Sequence, residues 1–93
     1  MIVRFSIRAQ SDIQSIYDFI ARDNAIIAGR VVAAIEQSTK RLADFPLSGR
    51  KGAVETTREL VIPRLPYIVV YRLAATHIEI IAVFHAAQDI PRG

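Results

Sequence analysis

The sequence contains no cysteine, which excludes disulfide bonds and thiolate metal sites and is typical of proteins in a reducing compartment. It has no apolar run near the roughly 20 residues that a membrane-spanning helix needs. Its first ten residues, MIVRFSIRAQ, lack the apolar core of a secretory signal peptide. We therefore expect a cytoplasmic protein that does not enter a membrane.

Histidine is scarce, and the two histidines that occur cannot share a metal ion. His77 and His85 occupy opposite ends of one predicted strand, roughly 26 Å apart at about 3.3 Å per residue. The sequence also lacks HExxH, CxxC, GxGxxG, Walker and GxSxG patterns, which mark zinc, phosphate-binding and acyl-transfer sites. We expect neither a metal nor a cofactor.

Basic residues are concentrated in the middle of the chain. Seven basic and three acidic residues lie between positions 40 and 72, a net charge of +4, whereas the rest of the chain holds five basic and six acidic residues. This segment indicates an acidic partner, either nucleic acid or protein, although an ordinary solvated face would have a similar composition. The candidates for contacting a target are Arg50, Lys51, Arg58, Arg64 and Arg72.

The length of 93 residues predicts a single domain, residues 1–93, that begins with a short strand over residues 2–7. Ile13, Ile16, Tyr17 and Ile20 then follow the spacing of one helical stripe. Ser11 with Gln14 resembles a capping box for this helix, although its start can also lie near residue 9. The helix is expected to end near residues 22–23.

A second helix is expected to begin at Asn24, whose side chain can accept a backbone hydrogen bond at the N-terminus. It should run to about Ala43 and form an antiparallel hairpin with the first helix. The loop FPLSGRKG, residues 45–52, then ends the helical region because glycine and proline favour turns.

The last third of the sequence predicts three strands, over residues 58–62, 67–73 and 77–85. Short connections require antiparallel pairing. Simple alternation in the last strand places Ile78, Ile80, Ala82 and Phe84 on the face toward the helices, and Glu79, Ile81, Val83 and His85 on the other face. The predicted fold is a two-layer α+β sandwich of order β-α-α-β-β-β, with a helical hairpin packed on a mainly antiparallel sheet.

Arg58, Arg72 and His85 are the candidates for chemistry, because each lies at or near a strand end and, depending on the strand register, the three ends can converge. Guanidinium groups neutralise a phosphate, and a histidine transfers a proton near neutral pH. Such a group would suffice for metal-free RNA cleavage. Arginine and histidine at strand ends are, however, more often surface ion-pair partners. Tyr67 and Tyr71 are expected to pack with their hydroxyls at the sheet edge.

Several segments together resemble toxins of the RelE/ParE superfamily of type II toxin–antitoxin systems. These are Ala9 and Ile16 of the first helix, FPLSGR at residues 45–50, RELV at 58–61, PYIVVYR at 66–72 and IIAVFHAAQD at 80–89. The resemblance runs nearly end to end. It implies the same β-α-α-β-β-β fold and a ParD- or RelB-like antitoxin that binds the toxin as a hetero-oligomer. The residues expected to contact the antitoxin are Ile13, Tyr17, Ile20, Ile81 and Val83.

The resemblance leaves two activities open. RelE-like members cleave mRNA on the ribosome with basic residues and a terminal histidine, tyrosine or arginine, which would assign catalysis here to Arg58, Arg72 and His85. ParE-like members act on DNA gyrase without a known catalytic centre. The tail HAAQD, residues 85–89, resembles the ParE branch more closely, because alanine rather than tyrosine follows His85. We therefore expect a gyrase-directed toxin, with a ribosome-dependent endoribonuclease as the alternative.

Overall fold

A helical hairpin packs on a five-stranded sheet in the computed structural model, which describes residues 1–87. The elements are β1 (Ile2–Phe5), α1 (Ile7–Ala21), α2 (Ala25–Arg41), β2 (Arg50–Lys51), β3 (Thr57–Val61), β4 (Tyr67–Leu73) and β5 (His77–His85). The strand order is β1-β5-β4-β3-β2, in which β1 runs parallel to β5 and the other pairs are antiparallel. The predicted two-layer α+β fold is confirmed, with β2 as a short strand inside the predicted loop.

Side-chain caps define where both helices begin. Asn24 accepts a hydrogen bond from the Ile27 N–H and caps α2, as predicted. Ser11 does not cap α1: Ser6 accepts the Ala9 N–H and the helix begins at Ile7, nearer to the alternative start at residue 9. Among the described residues, neither helix is long and apolar enough to span a membrane.

A β-bulge in β5 changes which side chains face the helices. Tyr71 pairs with Ile80 and Val70 pairs with Ala82, so Ile81 is an extra residue in β5. Simple alternation is therefore wrong beyond the bulge: Val83 packs in the cluster that includes the helices, whereas Ala82 belongs to the cluster on the opposite face.

The main core lies between the helices and the sheet. Ala9, Val31 and Ile35 from the helices meet Val69, Tyr71, Ile78, Ile80 and Val83 from the strands. A second buried cluster lies on the other face of the sheet and consists of Val70, Ala82 and Phe84 with half-buried Ile81. The main core therefore fixes the relative positions of the helices and of the strand ends that form the grooves described below.

Candidate functional site

The strand register separates the three residues that were predicted to converge. Arg58 lies opposite Tyr71, and Arg72 lies opposite both Thr57 and Glu79, at one end of the sheet. His85 lies opposite Tyr67 at the other end, five residues or roughly 17 Å along β4 from Arg72. Convergence of Arg58, Arg72 and His85 was therefore wrong, because antiparallel neighbours bring the start of one strand beside the end of the next. A catalytic role for any of the three stays a prediction.

Arg58 holds the loop of residues 45–52 in place. Its Nη1 donates to the Gly49 carbonyl at 2.7 Å and also lies 3.5 Å from the Leu47 carbonyl. The side chain is half-buried. One of the three guanidinium nitrogens of Arg58 is therefore used to hold this loop.

Tyr71 also holds the loop of residues 45–52 in place, from the buried side of that loop. Its ring is fully buried, and its hydroxyl accepts the Gly49 N–H at 2.9 Å and donates to the Pro46 carbonyl at 2.8 Å. A Cβ atom at Gly49 would lie 2.7 Å from the Tyr71 ring and hydroxyl and 2.9 Å from the Glu59 carbonyl oxygen. Only glycine fits there. The loop of residues 45–52, held by Arg58 and Tyr71, is called the clamped loop below.

Ion pairs occupy two more of the predicted target-contact residues. Arg50 donates from Nε and Nη2 to Glu59, which is only 7% exposed and also accepts the Ala53 N–H. Arg72 donates from Nη2 to both carboxylate oxygens of Glu79.

The other two predicted target-contact residues, Lys51 and Arg64, are exposed and have no ion pair within residues 1–87. Arg64 has φ 66°, the left-handed conformation, in the turn between β3 and β4. Their cationic groups remain available to a partner.

His85 lies in a groove of about 400 Å³ between α1 and the end of β5. Its ring makes an edge-to-face contact with Tyr67, with ring centroids 5.5 Å apart, and its Nδ1 accepts the Ala87 N–H. Burial raises the pKa of the Tyr67 hydroxyl because desolvation disfavours the phenolate. We call this groove the α1–β5 groove; it is lined by Arg8, Asp12, Ser15, Ile16, Phe19, Tyr67, Val83 and His85. Gln88 and Asp89 of the predicted tail motif lie outside the described residues.

Side chains of α1 and its cap satisfy the edge of β5 that β1 leaves uncovered. β1 pairs with β5 only as far as Ile80. Beyond that point the Ser6 hydroxyl donates to the Ile81 carbonyl, and Asp12 Oδ2 accepts the Val83 N–H at 2.9 Å. Asp12 also pairs with Arg8. Two backbone groups of this edge, the Ile81 carbonyl and the Val83 N–H, are thus paired within the protein. No local sequence pattern predicts either bond, because each joins residues more than 70 positions apart.

The residues predicted to contact an antitoxin lie mostly in or against the core. Val83 is only 4% exposed, so its expected role as a surface contact is not supported. Ile13 and Ile20 are half-buried and pack against the main core, and Tyr17 and Ile81 are half-buried. The helical stripe was located correctly, but it faces inward, as the apolar side of a surface helix usually does.

A second groove, of about 290 Å³, lies between α2 and the end of β3. Phe45 of the clamped loop lines it and is 62% exposed, and Val61 is 50% exposed. Leu47 of the same loop is also 62% exposed but is not among the residues that line this groove. Large apolar side chains grouped on a surface commonly mark an interaction site. Sequence reasoning missed Phe45 and Leu47, although two large apolar residues in a turn-rich loop are a usable signal. We call this groove the α2–β3 groove; it is lined by Ser38, Arg41, Phe45, Ser48, Leu60, Val61 and Pro63.

A family profile described as "ParE toxin of type II toxin-antitoxin system, parDE" matches residues 3–90. The chain therefore belongs to this family: it is a type II toxin–antitoxin toxin of the ParE family, a class that implies an antitoxin partner. The candidate toxin Y4kP of Sinorhizobium fredii is 40% identical over 90 residues, covering 97% of this chain and 93% of that protein.

Two further comparisons extend this result. Toxin RelE2 of Caulobacter vibrioides is 33% identical over 81 residues, covering 87% of this chain and 90% of that protein. A chain of the chromosomal ParDE TA system from P. aeruginosa has the same fold, with a TM-score of 0.83 at 24% identity over 91% of this chain and 95% of that chain.

Proposed function

We propose that this toxin inhibits DNA gyrase and is neutralised by direct binding of its cognate antitoxin in the cytoplasm. The observation that carries the proposal is the match to the ParE profile over residues 3–90, since the superfamily resemblance connects ParE-like members with gyrase. The separation of Arg58, Arg72 and His85 supports it, because a nuclease centre built from these three residues would need them close together.

The decisive measurement is gyrase activity in the presence of the purified toxin. We expect the toxin to reduce DNA supercoiling and to increase gyrase-dependent DNA breakage, and we expect an equimolar amount of antitoxin to restore both. Unchanged supercoiling and breakage at high molar excess of folded toxin would exclude gyrase as the target.

The second candidate function is a ribosome-dependent mRNA endoribonuclease of the RelE type. One specific observation favours it: the similarity to Toxin RelE2 covers 87% of this chain. Under this alternative, His85→Ala abolishes mRNA cleavage on ribosomes and growth arrest, while antitoxin binding remains. Retention of full toxicity by His85→Ala, together with DNA damage rather than arrested translation, contradicts the alternative.

A further inference from the structure

Two cationic side chains lie directly opposite each other where β2 pairs with β3. Lys51 is the register partner of Arg58, which places their Cβ atoms about 5 Å apart on one face of the sheet. Like charges in such a pair repel each other and destabilise the sheet. Neither side chain has an ion pair with a carboxylate within residues 1–87. The described part of the protein therefore does not offset this repulsion, whereas a bound anion would.

Two other cross-strand pairs have the opposite arrangement. Arg50 lies opposite Glu59 and donates to its carboxylate from Nε and Nη2. Arg72 lies opposite Glu79 and donates from Nη2 to both of its carboxylate oxygens. Both arginines thus have a carboxylate across the strands, which the two cations of the preceding pair lack.

Lys51 and Arg58 line a pocket of about 280 Å³. Arg58 is half-buried, and its Nη1 is held by the Gly49 carbonyl. Its Nε and Nη2 make no hydrogen bond within the described part of the chain, so three N–H groups of the guanidinium fork remain as donors. Lys51 is exposed and adds an ammonium group on a flexible stem. A fixed guanidinium beside an ammonium matches the two non-bridging oxygens of a phosphodiester.

The charge of the pocket matches the charge of one such group. Glu55 is the one carboxylate among the described lining residues, and it has no ion pair with either cation. Two basic residues and one acidic residue give the lining a net charge of +1. A single phosphodiester, which carries one negative charge, would balance it.

We propose that Lys51 and Arg58 bind a phosphodiester group in the backbone of the DNA on which gyrase acts. This inference rests on the proposed inhibition of gyrase, which brings the toxin to a complex that contains DNA. It narrows the five cations predicted to contact a target to these two. Arg50 and Arg72 are ion-paired, and Arg64 follows the far end of β3. A contact of this kind positions the toxin on DNA without reading its sequence.

The test measures the affinity of the toxin for gyrase with and without linear duplex DNA, over a range of salt concentrations. We expect DNA to raise the affinity of the wild-type toxin. Lys51→Gln should lower the affinity for the gyrase–DNA complex roughly three- to tenfold and reduce the slope of log affinity against log salt by about 1. Glu55→Gln should raise the affinity about twofold, because it removes a charge that repels phosphate. Arg64→Gln is the matched control: it removes an exposed, unpaired cation outside the pocket and should leave both quantities unchanged.

Arg58 needs a separate control, because it also holds the clamped loop. Arg58→Gln should reduce the salt slope by about 1, whereas Tyr71→Phe, which loosens the same loop without removing a charge, should leave the slope unchanged. Equal slopes in these two variants would show that Arg58 acts only through the loop, which contradicts its assigned contact. If circular dichroism shows that Arg58→Gln does not fold, Lys51→Gln decides the question, because Lys51 has no ion pair within residues 1–87 to lose.

The outcomes separate this inference from the function on which it rests. Equal salt slopes for Lys51→Gln and Arg64→Gln, or equal wild-type affinity with and without DNA, overturn the phosphate contact and leave inhibition of gyrase intact. Failure of the wild-type toxin to bind or inhibit gyrase overturns both. If Lys51→Gln weakens binding to ribosomes or to the antitoxin but not to the gyrase–DNA complex, the anion belongs to RNA or to an acidic protein and the proposal is wrong.

Discussion

The α1–β5 groove and the α2–β3 groove both lie between a helix and the end of a strand, yet they use hydrogen bonds in opposite ways. In the α1–β5 groove, polar side chains bond each other and the strand edge: Arg8 pairs with Asp12, and Asp12 accepts the Val83 backbone N–H. In the α2–β3 groove, the bonds from Tyr71 and Arg58 lie behind the surface and fix the loop that forms the wall. The polar groups of the α1–β5 groove are thus bonded to each other, whereas the bonds behind the α2–β3 groove fix the position of its loop wall.

This difference shows that groove size alone does not identify a docking surface. The α1–β5 groove has the larger volume of the two, about 400 Å³ against about 290 Å³. It also contains His85, a candidate catalytic residue of the sequence analysis. The free energy available to a partner depends instead on apolar surface left uncovered and on polar groups left unpaired. By those criteria the α1–β5 groove is the less open to a partner, because its Arg8 and Asp12 are already paired.

The strongest test of the clamped loop is Gly49→Ala. The added methyl group overlaps the Tyr71 ring and the Glu59 backbone, and overpacking of this kind costs about 1–3 kcal/mol. We expect urea denaturation to show a loss near the top of that range. Gly29→Ala is the control: no atom lies within 4 Å of its added Cβ on the exposed side of α2, so stability should rise by up to about 1 kcal/mol. Equal effects at the two glycines would show that the loop is not clamped.

A smaller effect is expected for Tyr71→Phe. The substitution keeps the buried ring but leaves the Gly49 N–H and the Pro46 carbonyl without the tyrosine hydroxyl, a loss of about 1–2 kcal/mol. Amide hydrogen exchange measured by NMR should accelerate at Gly49 and remain unchanged at Val83, in the other groove. Unaltered exchange at Gly49 would show that Arg58 alone holds the loop.

At the α1–β5 groove we expect Asp12→Ala to cost about 1 kcal/mol, because it removes the acceptor of the Val83 N–H and the partner of Arg8. Asp12→Asn keeps an oxygen acceptor and should cost less. The two variants are compared by thermal unfolding and by exchange of the Val83 amide.

The smallest effect concerns pH. Burial raises the pKa of Tyr67 above its ordinary value of 10, so the neutral phenol is favoured in the folded state. Its contribution to stability is complete below pH 10 and is lost as the pH rises through the folded-state pKa. NMR titration of tyrosine labelled at Cζ should show a midpoint above 10 for the resonance that Tyr67→Phe removes. A midpoint at or below 10 would mean that the ring is open to solvent.

The elements of this fold were predictable because the local patterns are strong. The helical spacing of Ile13, Ile16 and Ile20 and the cap at Asn24 located both helices, and β4 and β5 have the predicted bounds. The cap at Ser6 was missed because the first strand was expected to run through residue 7, which left no place for a cap. Local sequence patterns therefore predicted the helices and the main strands, but not all of the residues at which they begin and end.

The sites were less predictable because they depend on contacts between distant residues. Because β5 is largely apolar on both faces, its sequence pattern does not reveal the bulge at Ile81. Simple alternation therefore assigned His85 and Val83 to the wrong face of the sheet. The Tyr71 hydroxyl bonds residues 22 and 25 positions away, and nothing near Tyr71 in the sequence indicates them. Conversely, the separation of Arg58 and Arg72 from His85 follows from antiparallel geometry alone, which brings the start of one strand beside the end of the next.

The parallel pairing of β1 with β5 has a consequence for synthesis of the protein. Ile2 lies beside His77 and Phe5 beside Ile80, so β1 reaches its place in the sheet only after residues 77–80 have left the ribosome. Contacts of such large sequence separation form late, because a long loop must close before they are made. Translation that stops before β5 yields a chain without this sheet edge and without the strand that supports α1. Any activity that needs the complete sheet is therefore acquired only at the end of translation, and incomplete chains should lack it.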